Sequence, residues 1–81
     1  MNEKYVVIET GGSIGEIANF GRNRIVGSKV YLTKEKATEV RKRMTKAYAG
    51  GYYGYHYSVK TLDWALKNND KVKLEDLTEI A

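Results

Sequence analysis

Between Ile25 and Lys60 the spacing of apolar residues changes twice, from alternate positions to every third or fourth and back again. Residues two apart share a face of a strand, whereas residues three and four apart share a face of a helix. One folding unit must therefore hold strand, helix and strand, which excludes an all-helical bundle and an all-β sandwich. In residues 25–32, Val26, Val30 and Leu32 fall on one face and Ile25, Lys29 and Tyr31 on the other. Thr33 then caps a helix over residues 33–49, and Leu32 before the cap is placed to staple onto Ala37. Ala37, Val40, Met44, Ala47 and Tyr48 form its apolar stripe, and Gly50-Gly51 ends it. In residues 52–62, Tyr53, Tyr55, Tyr57 and Val59 share one face; Tyr52, Gly54, His56, Ser58 and Lys60 share the other.

The flanks add less regular signals. Residues 4–10 read as a strand, with Tyr5-Val6-Val7-Ile8 stopped by Gly11-Gly12. Residues 11–24 are too many for a tight hairpin. Within them Ser13 to Glu16 has the spacing of a capping box, Phe20 is placed to tuck against the core, and Gly21-Arg22-Asn23-Arg24 forms a tip. Residues 61–68, with Leu62, Trp64, Ala65 and Leu66, suggest a short helix. Asn68-Asn69-Asp70 is a turn, and Leu74, Leu77 and Ile80 have the spacing of a last helical turn. The expected fold is α+β: a small three-stranded, mainly antiparallel sheet packed by one long helix, with a short helical tail, in a single domain over residues 1–81.

With 81 residues and no cysteine, this chain is expected to fold on its hydrophobic core alone, in a reducing cytoplasm. The 42% hydrophobic share is that of a globular domain. Met1-Asn2-Glu3-Lys4 does not read as a signal peptide, and no apolar stretch is long enough for a membrane span. The net charge of +4 is uneven: +1 over residues 1–32, +5 over 33–60 and −2 over 61–81. A basic middle calls for a polar partner.

Chemistry-bearing constellations are scarce. His56 is the only histidine, Asp63 and Asp70 form no dyad, and no metal-ligand spacing exists, so no catalytic residue, metal or cofactor is expected. Gly11-Gly12-Ser13-Ile14-Gly15 lacks the lysine and spacing of a phosphate-binding loop. Two features suit binding. If Tyr53, Tyr55 and Tyr57 face the helix, then Tyr5, Tyr31, Tyr52 and His56 share an open sheet face able to stack bases or contact a protein. Arg22 and Arg24 on the loop tip can reach phosphates or carboxylates. On the helix, Lys42 and Lys46 sit beside Glu35 and Glu39, whereas Lys34 and Arg41, with Thr38 and Thr45 between them, make the one acid-free side.

The stretch from Lys29-Val30-Tyr31-Leu32-Thr33-Lys34-Glu35-Lys36-Ala37 through the helix to Tyr57-Ser58-Val59 resembles small uncharacterised accessory proteins of tailed bacteriophages. That resemblance implies a protein acting in the cytoplasm of an infected bacterium by binding and modulating a host factor. It carries over no individual site residue. The sequence thus leads to a non-enzymatic, protein-binding module, monomeric or homodimeric, with Arg22, Arg24, Lys34, Arg41, Tyr31, Tyr52 and His56 as candidate contacts. The alternative is a nucleic-acid-binding module built on the loop arginines, the basic helix and the tyrosine-rich strand.

Overall fold

Val6, Val7 and Ile8 are consecutive in β1 (Tyr5–Thr10) and all three are buried. Successive strand residues point to opposite faces, so β1 is covered on both sides. The computed structural model describes residues 3–11, 24–48, 55–69 and 72–80, and within them β1 is the centre of a five-stranded mixed sheet. Along its whole length β1 pairs antiparallel with β4 (His56–Thr61), from Tyr5 opposite Thr61 to Thr10 opposite His56. Its other edge carries β2 (Arg24–Ile25) and then β3 (Lys29–Tyr31), both antiparallel to it. Beyond β3 lies β5 (Thr78–Ile80), parallel to β3. The sheet is therefore larger than the expected three strands, and it is not wholly antiparallel.

The strand expected over residues 25–32 is broken. Ile8 pairs with Ile25 and Tyr5 with Tyr31, so three steps along β1 correspond to six along its neighbour. The three extra residues, Val26–Ser28, form a turn in which Gly27 and Ser28 adopt φ of 63° and 54°. An odd insertion reverses the side on which later residues point. Val26 packs on one face and Val30 on the other, not together as the unbroken alternation predicts.

Helix α1 (Lys34–Tyr48) begins after Thr33, whose Oγ1 accepts a hydrogen bond from Lys36 N at 3.2 Å. The chain from β3 through α1 to β4 is a crossover between two strands of like direction with β1 between them. Ala37, Val40 and Met44 pack with Tyr5, Val7, Tyr31, Tyr57 and Val59. Ala47 and Tyr48 are exposed at the helix end, and Leu32 is also exposed, so the staple onto Ala37 is not the main seal there.

The second face is closed by α2 (Leu62–Asn68). Thr61 ends β4 and caps α2, its Oγ1 accepting from Trp64 N at 3.1 Å. Leu62, Trp64 and Ala65 pack on Val6, Ile8 and Val30, joined by Ile25 and Leu77. The tail is not helical: Leu74–Asp76 makes one tight turn and the chain then enters β5. Leu77 joins the α2 face and Ile80 the α1 face. Three residues apart is the same side of a helix but opposite sides of a strand, so the spacing that suggested a helical turn serves a sheet buried on both faces.

Candidate functional site

Among the described residues, Tyr5 and Tyr31 do not share an open face with His56. Tyr5, Tyr31 and Tyr57 all lie on the α1 side, and Tyr31 is 4% exposed. Tyr31 is thus a core residue rather than a stacking platform. Its hydroxyl is held above its ordinary pKa chiefly by burial, with Arg43 acting in the opposite sense. His56 is exposed at the start of β4, on the α2 side with Ser58 and Lys60, opposite Thr10. Arg22 and Tyr52 lie outside the described residues, as do the capping-box reading of Ser13–Glu16 and the Phe20 contact.

Arg24 remains largely exposed but leans toward Glu9. In register it faces Glu9, and its Nη1 lies 3.6 Å from Glu9 Oε1. From the opposite strand Tyr57 Oη donates to Glu9 Oε2 at 2.7 Å. The Glu9 side chain is only 16% exposed, and this pairing supplies the partners a sheltered carboxylate needs. Burial first, and then the hydrogen bond to Glu9, hold the Tyr57 hydroxyl well above its ordinary pKa, so it is a neutral donor. Nothing in this trio presents a nucleophile to solvent. Arg24 and Lys34 are also far apart. Arg24 sits at the Glu9 end of β1, whereas Lys34 borders an open groove with Glu3, Lys4, Tyr5, Leu32, Thr33 and Glu35 at the other end. Of the described candidates, Arg24 and Lys34 do not converge on one patch.

What the fold does expose is an edge. Among the described residues β4 pairs with β1 alone. Leu62 N donates to Lys4 O at 2.8 Å, which makes Lys4 and Leu62 a hydrogen-bonded pair in the β1–β4 register. Antiparallel pairs alternate, so Lys60, Ser58 and His56 also turn their backbone groups to β1. Tyr57, Val59 and Thr61 turn theirs outward. The result is three outward N–H groups and two outward carbonyls, those of Tyr57 and Val59, along a strand roughly 20 Å long; the Thr61 carbonyl, at the N-cap of α2, accepts the first bond of that helix.

The rim of this edge follows from the helix phase. Arg43 acts on Tyr31 of β3 and Tyr48 on Tyr57 of β4, which fixes the two flanks of α1. At about 100° per residue, Lys34, Thr38, Arg41 and Thr45 fall on the Tyr48 flank of α1, where Lys34 also borders grooves that hold Glu3, Glu35 and Glu39. On the other face Lys60 Nζ lies 4.9 Å from the Trp64 ring centroid. Lys34 and Arg41 lie on the α1 side, whereas His56 lies on the α2 side at the Thr10 end of β4. Sequence reasoning missed Tyr57, Val59 and Thr61 because their contribution is made by backbone. The usable signal was topological: a strand that follows a crossover and runs directly into a helix has no obligatory neighbour on its far side.

No protein-family model, no curated protein and no solved structure matches the chain. Among the described residues, no helix is long and apolar enough to cross a membrane.

Proposed function

We propose that this chain is a small, non-enzymatic protein-binding module that takes up an extended segment of a larger protein along β4. The carrying observation is the outward backbone of Tyr57, Val59 and Thr61, which has no strand beside it among the described residues. Main-chain hydrogen bonds to an added strand supply affinity, and the flanking side chains supply selectivity. The resemblance of residues 29–59 to phage accessory proteins fits a partner in a bacterial host. The nucleic-acid reading is weaker: Tyr31 is buried and Arg24 is paired with Glu9, which leaves no aromatic platform beside a basic cluster among the described residues.

The test is a selection of short extended peptides from a random display library, followed by amide hydrogen exchange of the complex. Bound peptides are expected to slow exchange at Tyr57, Val59 and Thr61. Val59→Pro removes the central outward donor without touching a β1–β4 hydrogen bond, and is expected to weaken binding about tenfold or more. Selected peptides that protect other amides, or that bind Val59→Pro equally well, would overturn the reading.

A further inference from the structure

β5 closes the sheet beside β3, yet little holds it there. It is three residues long and parallel to β3, the less stable of the two pairings per residue. Thr78 and Glu79 are exposed, so Ile80 and the preceding Leu77 are its apolar anchors, one on each face of the sheet. The Lys4–Glu79 ion pair joins two exposed side chains and is screened by salt. Ahead of β5 the turn Leu74–Asp76 buries none of its residues, and Leu74 is 61% exposed. Between this tail and the body lies an open cleft of about 230 Å³, with Ile25 and Ser28 on one wall and Val72, Asp76 and Leu77 on the other. The strand next to this loose cover is itself tightly packed: Val30 and Tyr31 of β3 are 1% and 4% exposed.

We infer that residues 72–80 are a releasable strap, and that its opening bares the outer edge of β3 to an extended segment of another protein. This edge is distinct from β4, and the inference holds whether or not β4 takes a partner. Segments with few buried apolar contacts open before the body unfolds. The packing of α1 and α2 on Val6, Val7 and Ile8 draws on Ala37, Val40, Leu62 and Ala65, so the body keeps a core without the strap.

The tail displays the chemistry its replacement must have: an extended run parallel to β3, with apolar side chains at the places of Leu77 and Ile80. The tail of a second copy would make the same contacts, leave the same cleft unfilled and lose the freedom of one molecule. A foreign segment outcompetes the tail where the tail packs poorly. A large apolar side chain in place of Asp76 fills the cleft beside Ile25.

The experiment titrates fluorescently labelled peptides into the full chain, one with the sequence of residues 72–80 and one carrying Asp76→Leu. Apparent affinity scales with the fraction of chains whose strap is open. Both peptides are therefore expected to bind an Ile80→Asp chain, whose own strap is loosened, about tenfold or more tighter than the unaltered chain. The Asp76→Leu peptide is expected to bind more tightly than its parent to either chain. Binding to the variant should restore amide protection in β3 and leave Tyr57, Val59 and Thr61 unchanged, which separates this edge from β4. In low urea, the amides joining β5 to β3 in the unaltered chain should exchange ahead of those joining β4 to β1. Circular dichroism checks the fold of Ile80→Asp, and Glu79→Lys, a surface change, is expected to give the same order of affinities with a gain of about twofold or more. Exchange of the β5 and β4 amides in one common opening, or equal binding of the peptides to the unaltered chain and both variants, would overturn the strap. Equal affinity of the two peptides would overturn the cleft-filling occupant. A dimer seen by sedimentation and abolished by Ile80→Asp would make a second copy the occupant instead.

Discussion

Gly27 and Ser28 carry the conformational burden of the break between β2 and β3, with φ of 63° and 54°. A Cβ built on Gly27 would come no nearer than 3.6 Å to the Lys29 side chain, so space is not the obstacle. The backbone is: an L-residue in the left-handed region costs about 1–2 kcal/mol. Gly27→Ala is therefore expected to destabilise by about 1 kcal/mol, and Gly27→Asn by less, read from urea midpoints at unchanged slope. Tyr57 and Glu9 give a second residue-scale prediction. Removing the hydroxyl leaves a sheltered carboxylate short of a donor, so Tyr57→Phe is expected to cost about 1.5–3 kcal/mol. The pKa of Tyr57 is raised on folding, so its contribution is whole below about pH 10, the unfolded value, and is lost as pH rises beyond it. Tyr57→Phe should accordingly flatten the loss of stability above that pH, measured by urea unfolding across the alkaline range. Little of this was legible beforehand. Arg24 reads as a free loop-tip cation until the register sets it opposite Glu9, and the chain between them is too long for turn type to fix that register.

The elements themselves were largely readable where local chemistry decides them. Thr33 and the stripe of Ala37, Val40 and Met44 foretell α1, and strict alternation foretells β4. Thr61 is less obvious, because it serves β4 by its backbone and α2 by its hydroxyl. Loss of that cap is expected to cost about 1 kcal/mol in Thr61→Ala, with Thr61→Ser recovering most of it in thermal melts. The elements misread were those whose period is ambiguous. Leu74, Leu77 and Ile80 satisfy a helix, yet Leu77 and Ile80 serve opposite faces of the sheet from within and beside β5. Gly27-Ser28 in an otherwise β-branched run was the sign that residues 25–32 would not stay in one register. Tyr5-Val6-Val7-Ile8, apolar without alternation, signalled a strand buried on both faces, and so a cover for the side left open in the three-stranded expectation.

At the scale of the molecule, two short layers of side chains, one under each helix, hold the central strand. With an expected stability of roughly 4–12 kcal/mol for a chain of this length, one large core deletion is a serious loss. Ile8 is fully buried, so Ile8→Ala is expected to cost about 2–5 kcal/mol and to lower Tm by ~10 °C or more. Such a sheet has two edges. One is closed off by the brief β5, held to the body by the Lys4–Glu79 ion pair and by Ile80. The other is β4, longer and paired on one side among the described residues. The measurement that bears most directly on that edge is amide hydrogen exchange of the free protein at a concentration where sedimentation shows a monomer. Ser58, Lys60 and Leu62, bonded to β1, should exchange slowly, and Tyr57, Val59 and Thr61 markedly faster. Six amides of equal, slow exchange would mean that the edge is already covered, and would contradict the account.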